Sequence, residues 1–256
     1  MRLPQPRAPL RGSAYHERMQ WGITWRASGS RALLPGSWRG AGIALLAACV
    51  AVAAALAALL SGGGSAGRLD TALDPRIQAR LGRFPSVLHW LPRLGGLKEV
   101  ALMTLALALA CVVTRRWTGA VLALVAVPCA VGLTEYVLKP YVGGPLDQAF
   151  PSGHATSSFA LAAIGTVLLA TPPFRRLPGT LRFLLVLVAL LLAAAVAAAM
   201  IAIGAHTFTD AVAGAAVGTG VVLACAFILD LAAGRARRAP AEQAESPRDR
   251  HASGLA

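Results

Sequence analysis

The sequence predicts an all-α protein, a polytopic bundle of about six transmembrane helices with both termini on the cytoplasmic side. Three observations carry that expectation. Hydrophobic residues make up 56% of the 256 positions and charged residues only 14%, against roughly a quarter charged in an ordinary soluble domain. The apolar residues gather in runs close to the length of a bilayer crossing. The runs also lack the period-two alternation of barrel strands, which leaves the helix as the structure that satisfies every backbone polar group in hydrocarbon.

The elements follow in chain order. Residues 1–40 are polar, Pro-rich and basic, with Arg2, Arg7, Arg11, Arg18, Arg26, Arg31 and Arg39. They read as a disordered cytoplasmic leader in which Met19 is an alternative start. The leader is too long for the charged end of a signal peptide, and the run after it too long for a signal core. Six apolar runs come next, at 41–60, 100–114, 119–138, 155–170, 183–203 and 211–229. At about 1.5 Å per residue they reach roughly 22 to 32 Å, adequate for hydrocarbon with some thinning or flanking extension. The short second run is expected to extend outward through Leu97, with Lys98 snorkelling. The membrane domain is thus expected over 41–233 and a disordered cytoplasmic tail over 234–256.

Arginine placement sets the orientation. Besides the leader, clusters stand at Arg115–Arg116, at Arg175, Arg176 and Arg182, and at Arg235, Arg237 and Arg238. With six spans all of them fall on one side, which the positive-inside rule makes cytoplasmic. The connection 61–99 then lies outside. It is basic too (Arg68, Arg76, Arg80, Arg83, Arg93, Lys98) but also holds Asp70, Asp74 and Glu99. Asp74–Pro75 is a plausible helix start. Leu73, Ile77 and Leu81 share one face and Arg76 and Arg80 another, as in an interfacial amphipathic helix.

The net charge of +13 therefore reads as topology signal and as contact with anionic membrane lipids, not as a nucleic-acid surface, since no basic stripe is interleaved with aromatics. Cys49, Cys111, Cys129 and Cys225 all lie in apolar runs without metal-ligand spacing. They read as small buried hydrophobes, neither a disulfide framework nor a zinc site.

Two short outer connections, 139–154 and 204–210, hold nearly all the remaining chemistry. Pro151-Ser152-Gly153-His154 directly precedes the fourth run. It marks a helix start with a glycine that permits close approach, and the free N–H groups of such a start form an anion site. His206 and Asp210 stand four apart at the start of the sixth run. That spacing lets the carboxylate orient one ring nitrogen and leave the other free as nucleophile or base. Lys139 brings a cation to the same layer, with Glu135 four residues before it as a potential ion-pair partner. Together these supply a nucleophile, an acid, a carboxylate orienter, backbone donors and a cation, the parts that phosphoryl transfer through a histidine requires.

These residues resemble the type 2 phosphatidic acid phosphatase superfamily, whose pattern is Lys-x6-Arg-Pro, then Pro-Ser-Gly-His, then Ser-Arg-x5-His-x3-Asp. The resemblance covers about 41–233, with its sharp motifs between Lys139 and Asp210. It implies a six-span fold with the site on the outer face, a bacterial inner-membrane location, and metal-free hydrolysis of a lipid phosphate. It further implies that His206 is the nucleophile, Asp210 its support and His154 the acid for the leaving oxygen, with Lys139, Ser152 and Gly153 holding the phosphate. The departures are as specific as the matches. Leu146 and Asp147 stand at the first Arg-Pro positions, Ala199 and Met200 at the Ser-Arg positions, and Gly144 where many relatives have a further arginine. Both phosphate-clamping arginines are absent, and bidentate guanidinium recognition has few substitutes. Three readings follow: Arg93 or Arg83 substitutes, the substrate carries less charge, or the protein binds a lipid phosphate without turning it over efficiently. A transporter or channel fits less well, because charges are scarce at the depth of the membrane centre.

Overall fold

The computed structural model describes residues 32–61, 67–143, 150–172 and 174–245. Among these residues the fold is all-helical, as expected, and the six apolar runs become six helices. In chain order the α-helices are α1 Arg39–Ser61, α2 Arg68–Leu81, α3 Pro85–Trp90, α4 Leu97–Val113, α5 Trp117–Gly132, α6 Gly153–Leu169, α7 Gly179–Ala202 and α8 Phe208–Glu245. A 3-10 turn, Leu91–Gly95, joins α3 to α4, and α5 continues into a π-helical stretch, Leu133–Gly143. Four stretches are long and apolar enough to cross a membrane: Gly36–Leu60, Trp117–Val142, Gly179–Ala202 and Phe208–Gly234. The pair Pro85–Gly95 and Leu97–Val113, bent by 57°, would make a fifth, and Gly153–Leu169 is a shorter apolar helix.

The bundle is built on small residues. Ala123, Ala126 and Ala130 of α5, Ala160 and Ile164 of α6, and Val222 and Ala226 of α8 form one buried cluster. The large side chains point the other way: Leu184, Val188 and Leu191 of α7, Leu102, Leu105 and Leu109 of α4, and Ile43 and Val50 of α1 are exposed. Such a surface would be costly in water and suits lipid. The most extensive contact is between α6 and α8. Gly214 and Gly218 of α8 lie against the α6 backbone, where an added Cβ would collide with the carbonyl oxygens of Ser152 and Thr156. This small-xxx-small packing brings the two helices that begin at the candidate motifs into register at one end of the bundle. Arg115, Arg116, Arg175, Arg176 and Arg182 lie at the other end.

Several expectations change. The leader is anchored at its end: Leu33 and Leu34 are buried, and their N–H groups donate to the Asp230 carboxylate of α8 at 2.6 and 3.0 Å. These donors stabilise the half-buried carboxylate, and the two leucines beside it extend the core. The leader's other arginines, Arg2 to Arg31, lie outside the described residues. The tail expected from 234 instead continues α8 to Glu245, in keeping with its Ala- and Arg-rich sequence. The outer helix begins at Arg68, with Pro75 inside it, because Asp70 accepts from Gly67 N–H and caps the start there. Asp74 therefore caps another helix. Cys129 is exposed on the α5 surface, whereas Cys49 and Cys111 are buried as expected. Arg116 does more than mark topology. It is buried, donates to Leu168 C=O at 3.0 Å and to Thr171 Oγ1, and caps the end of α6.

Candidate active site

The turn that carries His206 is defined by backbone geometry on both sides. Gly204 takes φ +74°, a left-handed conformation that glycine adopts at little cost, as α7 ends. Ala205 N–H then donates to Met200 C=O at 3.0 Å. At the start of α8, Thr207 and Asp210 form a reciprocal cap: Thr207 N–H donates to Asp210 Oδ2 at 2.9 Å, and Asp210 N–H to Thr207 Oγ1 at 3.3 Å. His206 thus precedes the helix and does not ride on it, so the expected helical i,i+4 geometry with Asp210 is replaced by a looser one. His206 Nδ1 faces Asp210 Oδ2 at 3.7 Å, beyond hydrogen-bond length. That nitrogen is buried and has no hydrogen-bond partner among the described residues.

The remaining α8 donors are taken by residues that sequence reasoning missed. Thr209 N–H and Oγ1–H donate to Asp70 Oδ1 and Oδ2, both at 2.8 Å, and Phe208 N–H donates to Asp74 Oδ1 at 3.0 Å. From the other end of the turn, Ile201 C=O accepts from Gln78 Nε2 at 3.3 Å. Burial pushes the Asp74 carboxyl above its ordinary range. The Phe208 hydrogen bond opposes that rise, and the neighbouring Asp70 and Asp210 charges add to it. The available signal was the spacing of Asp70, Asp74 and Gln78, which puts three hydrogen-bonding side chains on one face of an otherwise Arg-rich helix.

The start of α6 is built differently. Ser152 is its N-cap, wholly buried. Its Oγ accepts from Ala155 N–H at 3.4 Å, and its own N–H donates to Asp210 C=O at 3.1 Å, tying the two helix starts together. The hydroxyl expected to touch phosphate thus serves as the helix cap. Gly153 and His154 are the first two residues of α6, where N–H groups have no intrahelical acceptor. His154 lies within electrostatic reach of His206, Lys139 and Glu135, so the structure brings the two histidines and the lysine together from separate connections. Gly95 packs on the His154 ring: a Cβ there would sit 3.1 Å from its Cδ2 and 2.8 Å from Val196 Cγ1. Ser157 Oγ–H holds that turn through Gly95 C=O at 3.1 Å.

Lys139 and Glu135 form the ion pair that their spacing allows, at 2.7 Å, on the π-helical stretch. The pair covers Gly153, whose added Cβ would come 2.5 Å from Glu135 Oε1 and 4.0 Å from Lys139 Nζ. No arginine supplements the lysine among the described residues. Arg93 stacks on Trp90 at 4.4 Å and meets His89 Nε2 at 2.9 Å, and Arg83 is exposed. Ala199 and Met200 are buried at the end of α7. Gly144, Leu146 and Asp147 lie outside the described residues. Among the described residues no three His, Cys, Asp or Glu side chains gather where a metal ion would need them.

Two helix starts, two imidazoles and a lysine converging at one end of an all-helical apolar bundle define a membrane protein with a paired-histidine site. Residues 133–231 match the model of the PAP2 superfamily, which bears out the resemblance read from the motifs. The fold is similar to that of a transmembrane PAP2-type phosphatidylglycerolphosphate phosphatase from Bacillus subtilis, with a TM-score of 0.54 at 18% identity, over 76% of this chain and 96% of that one. Comparison with curated proteins gives no match.

Proposed function

We propose that the protein is a lipid-phosphate phosphatase that works through a phosphohistidine, with substrate reaching the site from the outer leaflet of a bacterial inner membrane. The observation that carries this reading is the convergence of His154 with His206 and Asp210 beside the N–H groups that open α6. His206 Nδ1 is on the Asp210 side, so a proton there leaves the Nε2 lone pair for phosphorus. As the Nε2–P bond forms, the P–O bond to the lipid breaks and His154 delivers a proton to the departing oxygen. Water then attacks the phosphohistidine, His154 takes its proton, and the Nε2–P bond breaks to release inorganic phosphate. Gly153 and His154 N–H groups and Lys139 hold the phosphoryl oxygens, where negative charge develops. Polyprenyl diphosphates, phosphatidic acid and phosphatidylglycerol phosphate all suit such a site.

A second reading rests on the Glu135–Lys139 pair. With its lysine matched by a carboxylate and no guanidinium beside it among the described residues, the site is suited to holding a lipid phosphate without hydrolysing it. One experiment separates the two: phosphate release without added metal by purified wild type, His206→Ala and Met200→Arg across a panel of lipid phosphates. Release by wild type that disappears in His206→Ala supports the enzyme. Release only by Met200→Arg supports the binding protein. Silence from all three removes the phosphatase reading.

A further inference from the structure

Helix α2 contributes no group to the chemistry above, yet its most buried side chain is a carboxylate. Asp70 is 2% exposed and accepts three hydrogen bonds, from Thr209 N–H, Thr209 Oγ1–H and Gly67 N–H. Asp74 takes Phe208 N–H and Gln78 donates to Ile201 C=O, so α2 grips the α7–α8 turn on both sides of His206. Ile77 packs into the apolar cluster of Ile201, Phe208 and Phe159 directly beneath. Asp70, Asp74, Ile77 and Gln78 share one helical face, while Arg68, Arg76 and Arg80 are exposed on the other. A helix start is ordinarily capped by its own neighbours. Here two of the first donors of α8 are taken by carboxylates 134 and 139 residues away in the chain.

The His206 ring needs such a hold. Its Nδ1 has no hydrogen bond among the described residues and stands 3.7 Å from Asp210, so among these residues the imidazole is located by the backbone that carries it. We infer that Asp70, supported by Asp74, is a positioning residue for His206, and that α2 is the clamp that presents this imidazole to the phosphate. The effect on rate rests on the phosphatase reading; the placement of the ring does not.

The test uses the full chain, purified in detergent, as wild type, Asp70→Ala, Asp70→Asn and Arg76→Gln. It reads kcat and KM on lipid phosphates, and the ring signals of 15N-labelled histidine, with His206 assigned by its loss in His206→Ala. Asp70→Ala is expected to lower kcat about 10- to 100-fold, as misplacement of a reacting group does, with KM within about twofold of wild type. Asp70→Asn, whose amide oxygen still accepts from Thr209 N–H, stays within about fivefold of wild type. Arg76→Gln matches wild type. The His206 ring signal moves in Asp70→Ala alone. A wild-type kcat in Asp70→Ala, a loss confined to KM, or an equal loss in Arg76→Gln overturns the inference. If Asp70→Ala does not fold, Asp74→Ala, which removes a single acceptor, is read by the same criteria with a smaller fall. If wild type releases no phosphate, the phosphatase reading fails by itself and the ring signal decides the clamp. Displacement in the alanine variant alone supports it, and an unmoved signal overturns it.

Discussion

The starts of α6 and α8 meet at the same end of the bundle, joined by the Ser152–Asp210 backbone hydrogen bond, yet they are finished in opposite ways. The α8 start is closed: Asp74, Asp70 and Thr207 take its first three N–H groups in turn. Among the described residues, the α6 start has its third N–H taken by Ser152 Oγ, while Gly153 and His154 stand ahead of it. A helix start whose donors are taken by carboxylates is held firmly and offers little to an anion, whereas the carboxylate over Gly153, that of Glu135, is matched by Lys139. A start left open keeps its partial positive charge for a phosphoryl group, and that suits a binding site. On the proposed function, the two termini would divide the work between fixing the reacting group and receiving the substrate.

The division breaks most completely at the nucleophile. His206→Ala should abolish phosphate release, a loss of about 10⁴-fold or more of the kind seen when a covalent catalyst is removed. His154→Ala should lose more with an alkyl phosphate than with an aryl phosphate, whose leaving group needs less help from an acid. Measuring release from both substrate types with both variants separates nucleophile from acid; equal losses everywhere would merge the two roles.

The open terminus is probed next. Gly153→Ala places a methyl group 2.5 Å from Glu135 Oε1, so the ion pair must shift over the cradle. A fall of about 10- to 100-fold in kcat/KM is expected, with a thermal midpoint little changed, since the pair is part-exposed. A midpoint that falls in step with activity would make Gly153 a packing residue only.

Glu135→Gln should act in the opposite direction. Freeing Lys139 from its carboxylate strengthens the cation at the start of α6, and a gain of about two- to tenfold in kcat/KM is expected for the most highly charged substrates. A loss instead would show that the pair, and not the lysine alone, shapes the site.

The smallest effect belongs to the closed terminus. Burial raises the Asp74 carboxyl from its ordinary 3.8, so the folded state holds that proton more tightly than the unfolded one. Stability is then lost as pH rises from the ordinary value through the raised one. Asp74→Asn, which keeps an acceptor for Phe208 N–H, removes that slope. Its thermal midpoint should exceed that of wild type near neutral pH by at most about 2 °C, because Asp74 is largely solvent-screened. The difference should close on acidification below 3.8. A difference independent of pH would place the effect outside the carboxyl.

Composition and run length were enough for the all-helical apolar fold, because a bilayer admits few structures and the constraint acts on each segment alone. The same locality made the Ser152 cap, the Glu135–Lys139 pair and the His206/Asp210 neighbourhood legible, since each involves residues within four positions of one another. What the sequence could not disclose lies between segments. Asp70 and Asp74 looked like charges on an interfacial helix, and Leu33 and Leu34 like part of a loose leader. Each meets its partner across more than 130 residues, and nothing in local periodicity encodes such a meeting. Tertiary packing through Gly214 and Gly218 decides it, by setting α6 against α8 so closely that their two starts, one open and one closed, share a single end of the bundle.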